Sequence, residues 1–157
     1  MQKVLASSLL FFAACAAHAA TGEPTSLDQV ASADAVVTGR IISVQADVSD
    51  ASQTVQRHMV MEVSEQFKGG VSRELRAYIP LDLQVAVGDQ VLVHADWVTD
   101  HWQVDQGDVW TKRIDPWGRS VARSPEHTAI APVQEVLWDE ALRAAQSLCL
   151  ILANPNL

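Results

Sequence analysis

The stretch AVVTGRIISVQADV, residues 35–48, constrains this chain more than any other part of it. Its Val, Ile and Thr side chains branch at Cβ, which costs rotamer freedom against the preceding turn of a helix and suits the pleat of a sheet. The apolar positions show no three- or four-residue repeat, so the segment is predicted as one long strand. Gly39 interrupts it, and a glycine inside a strand predicts a bulge or a sharp bend.

Residues 55–67 follow with a period of two. Val55, Met59, Met61, Val63 and Phe67 alternate with Gln56, His58, Glu62, Ser64 and Gln66, as a strand with one buried face requires. The run Lys68-Gly69-Gly70 closes it. Leu75, Ala77 and Ile79 alternate along a third strand, which ends at Pro80 because proline has no amide to donate. Val91, Val93, Ala95 and Trp97 define one face of a fourth, and residues 109–114 form another before the turn Asp115-Pro116-Trp117-Gly118.

Two helices bracket these strands. Ser26 is placed to cap a short one, LDQVASA, because its hydroxyl can accept from the free amides of the first turn. Near the other end Val133, Val136, Leu137, Ala141, Ala144, Ala145 and Leu148 recur at three and four residues. That predicts an amphipathic helix over residues 132–149, with Pro132 in its first turn, packed on the sheet or plugging a barrel. The expected fold class is mainly β: a small five- to six-stranded OB-like barrel or half-closed antiparallel sheet with a C-terminal amphipathic helix. Curling the sheet hides edges that would otherwise pair with other chains.

The amino terminus has the layout of a secretory signal peptide: Lys3, an apolar run over residues 4–17, then Ala17-His18-Ala19 as small-x-small, with cleavage expected after Ala19. The run is too short to span a bilayer, so no membrane span is expected. A lipid anchor at Cys15, which follows Ala13 and Ala14, is the rival reading of the same segment. Loss of residues 1–19 would leave 138 of the 157 residues and move the formal charge from −8 to −9, since Lys3 is the only charge removed. That length suits one domain, read as a disordered lead over 20–25, a barrel-like domain with its helix over 26–150 and a tail over 151–157. So acidic a chain repels phosphate backbones, which excludes nucleic acid as a partner. Cys149 is left without an intrachain partner, and its neighbours Leu148, Leu150 and Ile151 favour burial. The expected location is the periplasm or the outside of the cell.

The segments ADAVVTGRIISV, VMEVSEQFKGG and VGDQVLVHA resemble the recurring strand pattern of bacterial exported domains with the OB-type barrel of the netrin-like, tissue-metalloprotease-inhibitor-like group. The resemblance covers residues 34 to about 97, and it implies a barrel and, as one function, protease inhibition. Inhibitors of that group place an amino-terminal Cys on the protease zinc. The expected mature chain begins at Ala20 and has no such residue.

The stretch HADWVTDHWQVDQGDVW, residues 94–110, crowds three Trp, two His and four Asp into seventeen positions. Read as a hairpin that turns at residues 98–101, it pairs Trp97 with Trp102, Asp96 with Gln103, Ala95 with Val104 and His94 with Asp105. Paired residues share a face, so the stretch sorts into an apolar face that helps fill the core and a polar face. His94, Asp96, His101 and Asp105 then supply the nitrogen and carboxylate ligands that zinc or a similar ion takes. The plainer reading is a solvated strand face with a charge pair between His94 and Asp105. Trp110 and Trp117 could form an exposed stacking platform for a partner, although core packing is the commoner use of such rings.

Motifs of enzymes are missing: there is no Gly-x-Ser-x-Gly, His-Glu-x-x-His, Gly-rich phosphate loop or Cys-x-x-Cys. The sequence therefore points to an exported, non-enzymatic binding or accessory domain that contacts a protein partner and needs no cofactor. The alternatives are a netrin-like protease inhibitor and a metal-binding protein or small metal-dependent hydrolase built around His94 and His101.

Overall fold

A computed structural model of the chain describes residues 24–49, 51–124 and 134–156. The expected signal segment with Cys15, residues 20–23 of the lead, and Pro132 lie outside the described residues. A short helix α1 (Leu27–Ser32) precedes eight strands: β1 (Ala35–Val48), β2 (Val55–Lys68), β3 (Glu74–Ile79), β4 (Gln90–Val98), β5 (His101–Gln103), β6 (Val109–Ile114), β7 (Ser120–Arg123) and β8 (Glu135–Leu137). Helix α2 (Trp138–Ala153) follows. No helix among the described residues is long and apolar enough to cross a membrane.

The strands lie in one sheet in the order β1-β2-β3-β5-β4-β6-β7-β8, and a further pairing of β1 with β4 closes the first five into a ring. The fold is thus mainly β, as expected, a half-closed sheet with a C-terminal helix; the sheet has eight strands where five or six were expected, because β6, β7 and β8 extend it beyond the ring. Its pairs are antiparallel, apart from a short parallel contact of β3 with β5.

The long strand β1 makes closure possible. It pairs with β2 along its whole length on one edge and, through residues 35–40, with β4 on the other. Its register against β2 slips at three places, one of them between Thr38 and Gly39. A Cβ at Gly39 would stand 2.0 Å from the Glu62 carbonyl oxygen, so only glycine lets the two backbones approach there.

Alternation along the strands divides two cores. Val37, Ile41, Met59, Met61, Leu75, Ala77, Val91, Val93 and Ala95 fill the barrel. Val36 and Leu92 point the other way and join Val30, Trp110, Ala122, Trp138, Ala141, Ala145 and Cys149 in a second core beneath the helices. Helix α2 therefore packs on the sheet, burying residues spaced at three and four along one stripe. Lys68 fixes α1 from below: its ammonium donates to the carbonyls of Val30, Ala31 and Ala33, which the helix end leaves unpaired.

Three expectations about the ends need correction. The helix predicted from residue 132 begins at Trp138, because residues 135–137 pair with β7 and satisfy its free edge. Val136 and Leu137 fitted the helical spacing, but β-branched Val136 also suits a strand and half-buries against the second core. The helix also runs on to Ala153, three residues into the segment read as a tail. Finally Pro24 and Thr25, read as part of a disordered lead, are buried.

Candidate functional site

The predicted hairpin forms with its expected register, but only at its tip. Val98 pairs with His101, Trp97 with Trp102 and Asp96 with Gln103. A two-residue turn, Thr99-Asp100, joins them, with Thr99 at φ 56. Beyond Gln103 the strands part. Trp102 and Gln103 pair with Ala77 and Tyr78 of β3, and the Val104 amide donates to the Tyr78 carbonyl at 2.9 Å. Ala95 and His94 pair instead with Ala35 and Val36 of β1. The expected pairs of Ala95 with Val104 and His94 with Asp105 are therefore absent, because β1 competes for the same edge of β4 and wins with a longer ladder.

That separation fixes what each end of the stretch can do. At the inner end, His94 is 1% exposed and lies on the outward face of β4 with Leu92, beneath the chain that leads into α1. Its Nε2 is 3.1 Å from the Thr25 hydroxyl and its Nδ1 is 3.4 Å from the Asp108 carbonyl. The carbonyl can only accept, so Nδ1 carries the proton and Nε2 accepts from Thr25. Burial lowers the His94 pKa to about 4, against a smaller upward pull from the Asp108 carbonyl, so the ring is neutral at physiological pH. Gln29 of α1 completes the junction, donating to Asp108 Oδ1 at 2.8 Å and to the Gly107 carbonyl at 3.2 Å.

Carboxylates crowd beside this junction. Burial raises the Asp108 pKa, and the neighbouring charges of Asp96 and Asp105 add to it, while the Gln29 hydrogen bond opposes them. Asp96 is raised by burial first and then by Asp34 and Asp105. Asp34 also caps an open backbone amide, accepting from Trp97 N at 2.8 Å.

The four residues proposed as metal ligands are not brought together. His94 is sealed under α1, His101 sits at the hairpin tip against Asp100, and no group of three or more His, Cys, Asp or Glu among the described residues could hold a metal ion. The solvated face with a His94 to Asp105 charge pair is not formed either, since His94 is buried and neutral.

The outer end is a groove. Trp97 is 50% exposed and meets Trp102 edge to face, with ring centroids 5.1 Å apart. Trp102 packs against the barrel core as expected, whereas Trp97 leaves half its surface in solvent. Tyr78, 37% exposed, stands edge-on to His101 at 4.8 Å and to His58 at 6.2 Å. Asp100 Oδ1 lies 2.9 Å from His101 Nδ1, and Asp47 Oδ2 lies 3.1 Å from His58 Nδ1. These residues, with Glu74, Arg76 and Ala77, line a cleft of about 500 Å³. A second cleft of about 480 Å³ shares Tyr78 and His101 and continues past Ile79, Gln103 and Asp105.

Trp110 and Trp117 do not form a platform. Trp110 is 4% exposed within the second core. Trp117 is 77% exposed at the β6–β7 turn, with the Arg119 guanidinium 5.2 Å from its ring centroid. The Asp115 carboxylate holds that turn, accepting from the amides of Trp117 and Arg119 at 2.9 and 2.8 Å and from Arg119 Nε at 2.7 Å. Burial pushes the Asp115 pKa up, but these bonds and the Arg119 charge together hold it below the usual carboxylate range.

Sequence reasoning missed Tyr78, His58 and Asp47 as partners of the hairpin tip. Tyr78 was detectable as the one aromatic ring on the polar side of the Leu75, Ala77, Ile79 alternation. His58 and Asp47 come from a β1–β2 pairing that no local pattern reveals.

No protein-family model matches the chain, and no curated protein matches it as a relative. Fold and geometry together define a half-closed β-sheet with a ring of five strands, a C-terminal helix and an aromatic cleft beside the β4–β5 turn.

Proposed function

We propose that this chain is an exported, non-enzymatic binding or accessory domain that contacts a protein partner in the periplasm or outside the cell through the Trp97–Tyr78 cleft. The observation that carries this reading is the half-exposed Trp97, beside Tyr78 and His101, on the wall of a cleft. Aromatic rings with solvent on one side and a packed neighbour on the other are rigid anchors for association. Barrels of the OB type commonly bind with the face of strands 2 and 3 and the adjoining loops, which here is the side that carries His58 and Tyr78. Acidic groups on the wall disfavour a phosphate backbone.

A catalytic reading has less support. The Thr25 hydroxyl on the His94 imidazole has the outline of an activated nucleophile. Both residues are sealed from solvent, Thr25 at 0% and His94 at 1% exposed.

The test is capture from periplasmic and culture extracts by the purified chain and by a Trp97→Ala, Tyr78→Ala double variant. The reading expects a protein retained by the first and released by the second. Equal retention by both, or none by either, contradicts it.

A further inference from the structure

The walls of the Trp97–Tyr78 cleft also select a chemistry. Three carboxylates, Asp47, Glu74 and Asp100, face one guanidinium, Arg76, among its lining residues. Asp47 and Asp100 have side chains 68% and 85% exposed, so each keeps acceptor capacity beyond its histidine neighbour. In both contacts the histidine Nδ1 is the atom that faces a carboxylate, so an N–H there donates to it. Trp97, Trp102 and Tyr78 supply aromatic rings to the remaining walls, and the face of such a ring carries negative electrostatic potential. Apart from Arg76 and the two histidines, the lining is thus rich in carboxylate acceptors and aromatic rings, and it complements a ligand that is cationic, planar and rich in donors.

We infer that the cleft seats an arginine side chain of the protein partner, with its guanidinium over the Trp97 or Tyr78 ring and its N–H groups toward Asp100 and Asp47. Arginine suits these walls better than lysine because a flat guanidinium stacks on a ring while it donates at its edge. A cleft of about 500 Å³ accommodates the side chain with part of its backbone. The inference rests on the binding-domain reading and specifies the ligand of that same site.

The experiment is calorimetric titration of the full purified chain with four short capped peptides, alike except for repeated Arg, Lys, Leu or Glu between glycines, at low and physiological salt. The Arg peptide is expected to bind about tenfold more tightly than the Leu or Glu peptide and more tightly than the Lys peptide. Trp97→Ala and the isosteric Asp100→Asn are each expected to weaken it about five- to tenfold, with the fold of each variant checked by circular dichroism. Equal affinity for Arg and Leu or for Arg and Lys peptides, or an Arg affinity untouched by both variants, overturns the inference. A Leu or Glu peptide that binds best and is released by Trp97→Ala overturns it while leaving the binding-domain reading intact. Failure of every peptide also overturns it, and the binding-domain reading then stands or falls on the capture experiment alone.

Discussion

His94 and His101 lie seven residues apart in one acidic, Trp-rich stretch, yet the two ends of that stretch differ in almost every physical respect. The inner end belongs to a strand with neighbours on both edges, β1 and β6, and with packed layers on both faces. The outer end belongs to a short hairpin that rises past those neighbours, so its rings meet solvent. Burial in the first case silences an imidazole and turns it into a latch for Thr25 and the start of α1. Exposure in the second leaves rings and carboxylates available to a partner. Composition alone cannot distinguish a latch from a site; the number of neighbouring strands and layers does.

The largest effect is expected from opening the seam that encloses the inner end. Gly39→Val drives a side chain into the Glu62 carbonyl at the point where β1 is paired on both edges. The expected loss exceeds about 3 kcal/mol and is read as reduced soluble yield or as a large fall in the urea midpoint. His94→Ala attacks the latch itself. It leaves a cavity and an unpaired Thr25 hydroxyl, so about 2–4 kcal/mol should be lost in urea unfolding.

Acid should act on the same group. The folded His94 pKa of about 4 lies below its ordinary value of 6.5, so its contribution is complete above pH 6.5 and is lost as the pH falls toward 4. That loss reaches about 3 kcal/mol. Unfolding measured at a series of pH values should show the extra slope in the native chain and a shallower one in His94→Ala. A smaller effect is expected at the other end: Trp97→Ala should cost about 1–2 kcal/mol, because half the ring is already in water and the pair with Trp102 adds little beyond burial. A loss of several kcal/mol from Trp97→Ala would make the outer end structural as well.

Much of the barrel was legible because its strands are patterned locally. The β-branched run at 35–48, the alternation over 55–67, the Ser26 cap and the irregularity at Gly39 each rest on neighbours in sequence. The pairing of Trp97 with Trp102 was legible too, since a tight turn between them permits few registers. What stayed hidden was the competition for strand edges. Nothing near Ala95 announces that Ala35 will displace Val104 as its partner, and nothing near His94 announces a second core above it. The short strand at 135–137 was read as helix because Val136 and Leu137 serve either period, and the free edge of β7 decided between them. The candidate site was half legible: Trp97, Trp102 and His101 stood out, whereas Tyr78, His58 and Asp47 reach them only through tertiary pairing.

The inner end of this stretch is sealed core and the outer end an open groove. The most direct test is an NMR titration of the His94 ring resonances in the full chain between neutral and acid pH. The structure predicts a midpoint near 4, with the ring neutral and protonated on Nδ1 above it. A midpoint near the ordinary histidine value of 6.5 would place His94 in water and contradict the division between the two ends.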